Sequence, residues 1–102
     1  MDSSVHLLVL IKGWTEAGHQ IAQTPEGQQL FQKVMASRDQ SGCKVVVNCD
    51  SRWSSQQWAN FAVEVYPNLT ALQEHMKRLT DLNWWRYIDI TTVLGTSNEG
   101  GM

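Results

Sequence analysis

The chain has 102 residues, enough for one hydrophobic core and too few for two, since independent cores take ~50 residues or more. With 42% hydrophobic and 18% charged residues and a formal charge of -2, it reads as globular. That charge argues against a phosphate backbone or an anionic membrane surface as partner.

The start Met1-Asp2-Ser3-Ser4 lacks the basic segment of a signal peptide, and the longest apolar run, Leu7 to Ile11, is far short of the ~20 residues of a spanning helix. A cytoplasmic location is the expectation. Val5 to Lys12 is rich in β-branched residues and leucine and bounded by Gly13, which predicts a first strand. Gly13 to Gln23 has no clean periodicity and reads as a loop or short helical turn, long enough to act as a flap.

Thr24-Pro25-Glu26 has the form of a helix start, with a capping hydroxyl, proline at the first helical position and an acid in the first turn. Leu30, Phe31, Val34 and Met35 mark one face of this helix, which runs to about Arg38 and stops at Ser41-Gly42. Cys43 to Asp50 and Trp58 to Tyr66 read as two strands of a hairpin, the second ending at Pro67. Asn68 then caps a second helix marked by Leu69, Leu72, Met76 and Leu79 and ending near Asp81 to Asn83. Within it His75 reads as a surface residue. Tyr87 to Leu94 is the fourth strand, and residues 96–102 form a polar tail to a single domain whose ordered core is about 4–95.

The order βαββαβ is the split βαβ pattern. Right-handed connections give an α+β fold with a four-stranded antiparallel sheet in the order 4-1-3-2 and both helices on one face. The other face is bare and must be polar or covered.

Strand alternation sorts the side chains. Val5, Leu7, Val9 and Ile11, then Ala59, Phe61, Val63 and Val65, then Ile88, Ile90, Thr92 and Leu94 are expected under the helices, joined by Val45, Val47 and Cys49. The open face then receives His6, Leu8, Leu10 and Lys12, Lys44, Val46, Asn48 and Asp50, Trp58, Asn60, Ala62, Glu64 and Tyr66, and Tyr87, Asp89, Thr91 and Val93. Such a mixture of apolar, aromatic and ionisable groups suits a face closed over a cavity.

With this element order, length and bare face, the chain resembles the dimeric α/β-barrel superfamily of ferredoxin-like folds, over roughly residues 4–95. The resemblance is carried by architecture and not by a motif. It implies a homodimer closed through the open sheet faces. Members of that superfamily include cofactor-free monooxygenases, cyclases, isomerases, heme-handling proteins and uncharacterised stress proteins, whose sites lie inside the barrel or between sheet and helices.

No phosphate loop, dinucleotide fingerprint or nucleophile elbow is present, and Cys43 and Cys49 read as reduced thiols without metal-ligand spacing, so no cofactor and no metal is expected. His6 oriented by Glu64 is the candidate general base, with Tyr66 offering a hydroxyl to a developing oxyanion. The alternative for the pair is a structural hydrogen bond between strands. Trp58, Asn60, Tyr87 and Asp89 are candidate substrate contacts on the same face, with His19 in the flap and Arg52, whose planar fork suits a carboxylate, in the hairpin connection. These residues suit a cofactor-independent enzyme using acid/base chemistry on a partly aromatic or polyketide-like metabolite of secondary metabolism. The alternative is a non-catalytic homodimer, stress-related or ligand-binding, for which the same face is wall and interface. In a heme-handling relative His19 or His75 would be the ligand.

Overall fold

The run of valine, leucine and isoleucine that opens the chain forms the strand around which the sheet is built. A computed structural model describes residues 4–97, so most of the expected polar tail lies outside the described residues. Strand β1 spans Val5–Trp14, helix α1 Glu16–Ala22, α2 Pro25–Gln40, β2 Lys44–Asp50, β3 Asn60–Tyr66, α3 Leu69–Asp81 and β4 Ile88–Gly95, with a 3-10 turn at Trp84–Arg86 before β4. The sheet order is β2-β3-β1-β4 and every pairing is antiparallel, as expected. The fold is ferredoxin-like α+β.

The helices begin where their capping residues dictate. Thr24 Oγ1 accepts from the Gly27 amide at 3.1 Å with Pro25 inside the first turn, and Asn68 Oδ1 accepts from the Ala71 amide at 2.8 Å. The expected flap is instead mostly helix. Thr15 caps α1 through the Gly18 amide at 3.1 Å, and its own hydroxyl donates to the Arg86 carbonyl at 2.6 Å. Thr15 N donates to the Tyr87 carbonyl at 3.1 Å, so α1 is tied to the entry of β4. Gly18 is buried there because a Cβ would collide with the Tyr87 carbonyl.

Residues opposite one another across an antiparallel pair share a face, and the register corrects β3 throughout and β2 in part. Val5 pairs Tyr66, Leu7 pairs Glu64, Val9 pairs Ala62 and Ile11 pairs Asn60. Ala62, Glu64 and Tyr66 therefore lie under the helices, and Phe61, Val63 and Val65 lie on the open face, the reverse of the expectation. Both alternating sets of β3 are apolar enough to be buried, and a shift of one residue exchanges them wholesale. In β2 a bulge between Val45 and Val47 inverts the parity midway. Val45 stays on the helix side, while Val47 and Cys49 move to the open face and Asn48 and Asp50 to the helix side. Assignments for β1 and β4 hold, with a bulge between Ile11 and Gly13 where Gly13 takes φ 149°.

The core is the layer between β1, β3 and α3: Val5, Leu7, Val9, Ala62, Tyr66 and Leu72 are all buried. Removing such side chains from water stabilises the fold by about 1.5–3 kcal/mol for each large one. At the end of the sheet near α1, Trp14, Phe31 and Trp84 pack as a trio with ring centroids 5.2 to 5.8 Å apart. Among the described residues no helix is long and apolar enough to cross a membrane.

Candidate functional site

Between the sheet and the helices lies a cavity of about 180 Å³. Its sheet wall is built by Leu7, Val9, Ile11, Ile88, Ile90 and Thr92, its helix wall by Val34 and Met35 of α2 and Met76 and Leu79 of α3, and its end by Trp84 and Trp85. Three ionisable side chains interrupt this apolar lining: Glu64, Arg38 and His75.

Glu64 and Tyr66 stand on one face of β3, and the Tyr66 hydroxyl donates to Glu64 Oε1 at 2.8 Å. On the other carboxylate oxygen, Oε2, Arg38 Nη1 of α2 approaches to 3.7 Å. Glu64 thus has one hydrogen-bond donor, Tyr66, and one ion-pair partner, Arg38, from different elements, with its side chain 13% exposed. Tyr66 is fully buried, and burial, reinforced by the Glu64 charge, pushes its phenol far above the usual range, so it remains a proton donor in this bond. Burial also raises the Cys43 thiol, an effect that Tyr66 beside it partly offsets.

His75 is 4% exposed, which overturns its reading as a surface residue. Its Nδ1 lies 2.8 Å from Ser37 Oγ, and Arg78 Nε donates to the same Oγ at 2.7 Å while Arg78 Nη2 donates to the Ser37 carbonyl at 3.1 Å. Burial, with the Arg78 and Arg38 charges adding, lowers its pKa to about 4, so the imidazole is neutral at ordinary pH. The His75 and Tyr66 rings are 5.7 Å apart, and His75 lines the cavity together with Glu64.

The structure brings Glu64 and Tyr66 together and separates both from His6. His6 pairs with Val65 across the strand, so its side chain is on the open face and Glu64 is on the other side of the sheet. The expected His6–Glu64 couple does not form. His6 Nδ1 is instead buried without a hydrogen-bond partner among the described residues.

The candidate substrate contacts scatter. Asn60 donates to Asn48 Oδ1 at 2.7 Å and, with Arg52, lines a second, more open recess of about 540 Å³ that shares Ile11 and Ile88 with the first. Arg52 grips Asp50 through two bonds of 3.0 and 2.7 Å, which holds the Asp50 carboxyl at about 2. An incoming carboxylate would have to displace Asp50. Trp58 lies before β3 with its carbonyl bonded by Ser51 Oγ at 2.8 Å. Tyr87 sits at the start of β4 with Arg86 Cζ 6.0 Å from its ring, while Asp89 and His19 are exposed.

Sequence reasoning missed Arg38, Ser37 and Arg78, and had His75 only as a surface residue or, in a heme-handling relative, a ligand. A signal was there for His75: Leu72, His75, Met76 and Leu79 follow the i, i+3, i+4, i+7 spacing of one helix face, so a histidine stood on an apolar stripe. Arg38 likewise lies seven residues beyond Phe31, on the inward face of α2.

No family model and no curated protein matches the chain. Solved structures do. Two structures of one Rhodopseudomonas palustris protein of unknown function, one of them methylated, superpose with TM-scores of 0.67 and 0.66 at 14% identity, covering 100% and 97% of this chain and 86% and 85% of that one. A provisionally named antibiotic biosynthesis monooxygenase from Caulobacter crescentus CB15 superposes with a TM-score of 0.54 at 14% identity, covering 96% of this chain and 92% of that one. The chain is therefore a ferredoxin-like α+β domain with the fold of these proteins, including that of the monooxygenase-like neighbour.

Proposed function

We propose that the protein is a cofactor-independent enzyme that binds a single-ring, largely apolar metabolite between sheet and helices and moves a proton on it with Glu64. The observation that carries this reading is the Glu64–Arg38 pair in the wall of a largely apolar cavity, with Tyr66 donating to Glu64. A buried carboxylate serving only stability is commonly dispensable, whereas one oriented by a hydrogen bond and paired with a cation at a ligand-sized space has the form of a catalytic base. The volume fits: a dry cavity of about 150 Å³ accepts benzene, so 180 Å³ suits one ring with a small substituent.

In this mechanism Glu64 takes the proton of a phenol or of a carbon beside a carbonyl. Arg38 balances the charge, and Tyr66 keeps the carboxylate oriented. Return of the proton to another atom completes an isomerisation or a cyclisation. For a phenol with dioxygen as second substrate, one oxygen atom enters the ring and the other leaves as water. The phenol supplies the electrons, so a quinone forms with no external reductant. The likeness to the Caulobacter neighbour, named for monooxygenase activity, supports this variant.

The same reading includes a homodimer through the open sheet face. Leu8, Leu10, Phe61, Val63 and Val65 form an apolar band there, with Val93 54% exposed and Val47 38% exposed beside it. A band of that kind calls for a cover, and a second copy of the face supplies one that also shelters His6.

Deuterium uptake from solvent into small phenols and 1,3-dicarbonyl compounds, followed by NMR, tests the chemistry. Glu64→Gln is expected to slow uptake about 100-fold or more while binding persists. Uptake at the wild-type rate in that variant would remove Glu64 from the mechanism.

A further inference from the structure

We propose that His75 is the cavity's neutral hydrogen-bond donor, aimed at a ligand oxygen of carbonyl or phenolate type, and that Ser37 and Arg78 are positioning residues that hold it in the Nε2–H tautomer. The proposal deepens the proton-transfer reading above and rests on it.

The chain of donors fixes the proton. Arg78 Nε has no lone pair and must donate to Ser37 Oγ, at 2.7 Å. The Ser37 hydroxyl then has a hydrogen to place, and among the described residues the one acceptor within reach is His75 Nδ1, at 2.8 Å. Nδ1 therefore accepts, and the ring's own hydrogen sits on Nε2. A proton on both nitrogens would turn Nδ1–H against the serine hydroxyl with two guanidinium groups close by. The low pKa of His75 agrees with that exclusion.

Nε2 has no hydrogen-bond partner among the described residues, and the ring lines the cavity. An N–H in that position asks for an acceptor. Glu64, which lines the same cavity, takes a proton from a ligand, and the negative charge that develops on the ligand's oxygen needs a donor that does not itself titrate. A neutral imidazole N–H meets that need without neutralising Glu64. Ser37 and His75 are buried polar groups at positions where α2 and α3 otherwise present apolar side chains, and packing alone gives no reason for them.

The test uses the full chain with 15N-labelled histidine and two probes of similar shape, acetophenone, which has a carbonyl acceptor, and ethylbenzene, which has none. In the free protein His75 is expected as Nε2–H. Acetophenone should shift the Nε2 resonance and its proton, and ethylbenzene should bind without doing so. His75→Phe should weaken acetophenone about tenfold, the worth of one hydrogen bond, and leave ethylbenzene unchanged. Ser37→Ala should shift the ring toward Nδ1–H and reduce the preference for acetophenone, and Ser37→Thr should restore both.

An Nδ1–H ring in the wild-type protein would overturn the proposal without any variant having to fold. Binding of both probes with affinities untouched by His75→Phe would remove His75 alone and leave the cavity reading standing. Failure of both probes to occupy the cavity would remove the two readings together.

Discussion

Acid should destabilise this protein through His75 in a window that its burial defines. In the unfolded chain the imidazole titrates near 6.5, and in the folded protein burial beside Arg78 and Arg38 lowers this to about 4. The unfolded state thus binds a proton that the folded state refuses. Stability from this residue is complete above pH 6.5 and is lost as pH falls toward the folded value. A gap of roughly 2.5 pH units at 1.36 kcal/mol per unit gives about 3 kcal/mol by about pH 4. Urea unfolding of the wild type and of His75→Gln, from about pH 7 to about pH 4, isolates the effect, because glutamine can still accept from Ser37 and does not titrate in that range. Groups shared by both proteins cancel in the difference. Asp50, held at about 2 by Arg52, loses its contribution only below 3.8. The wild type should lose about 3 kcal/mol more than the variant across the range. Parallel curves would refute the reasoning, and with it the neutral, buried imidazole.

Two further tests concern the scaffold. In an exposed helix Gly18→Ala would stabilise by up to ~1 kcal/mol, but here the new Cβ meets the Tyr87 carbonyl; a loss of about 2 kcal/mol and a Tm lower by about 10 °C are expected, and an unchanged or raised Tm would deny the close approach of α1 to β4. Val63→Asp places a charge in the apolar band of the open face, so light scattering should give twice 11.6 kDa for the wild type and one copy for the variant, whereas a monomeric wild type would dismiss the proposed dimer.

The elements were legible because each has a local cause. Thr24-Pro25 and Asn68 start α2 and α3, β-branched and leucine runs make β1 and β4, and Pro67 ends β3, so the order of these elements and the sheet topology followed from the chain itself, whereas α1, read as a loop or short helical turn, did not. Glu64 and Tyr66 were likewise legible as a pair, since they are two apart on one strand and share a face in any register.

Which face they share was decided by the tertiary structure. Strand β3 offers two alternating sets that can both be buried, and only its pairing with β1 selects between them. In β2 the parity changes at a bulge that leaves no sequence mark among Lys44-Val45-Val46-Val47. The remaining site residues come from different elements: Arg38 of α2 faces the β3 carboxylate, and Ser37 of α2 joins His75 and Arg78 of α3. Their meeting depends on how the two helices lie on the sheet. The chain alone thus determined the architecture and the polar side chains available; packing determined that Glu64 and Tyr66 turn from the open face, with His6, to the side beneath the helices, where Glu64 and His75 line the cavity.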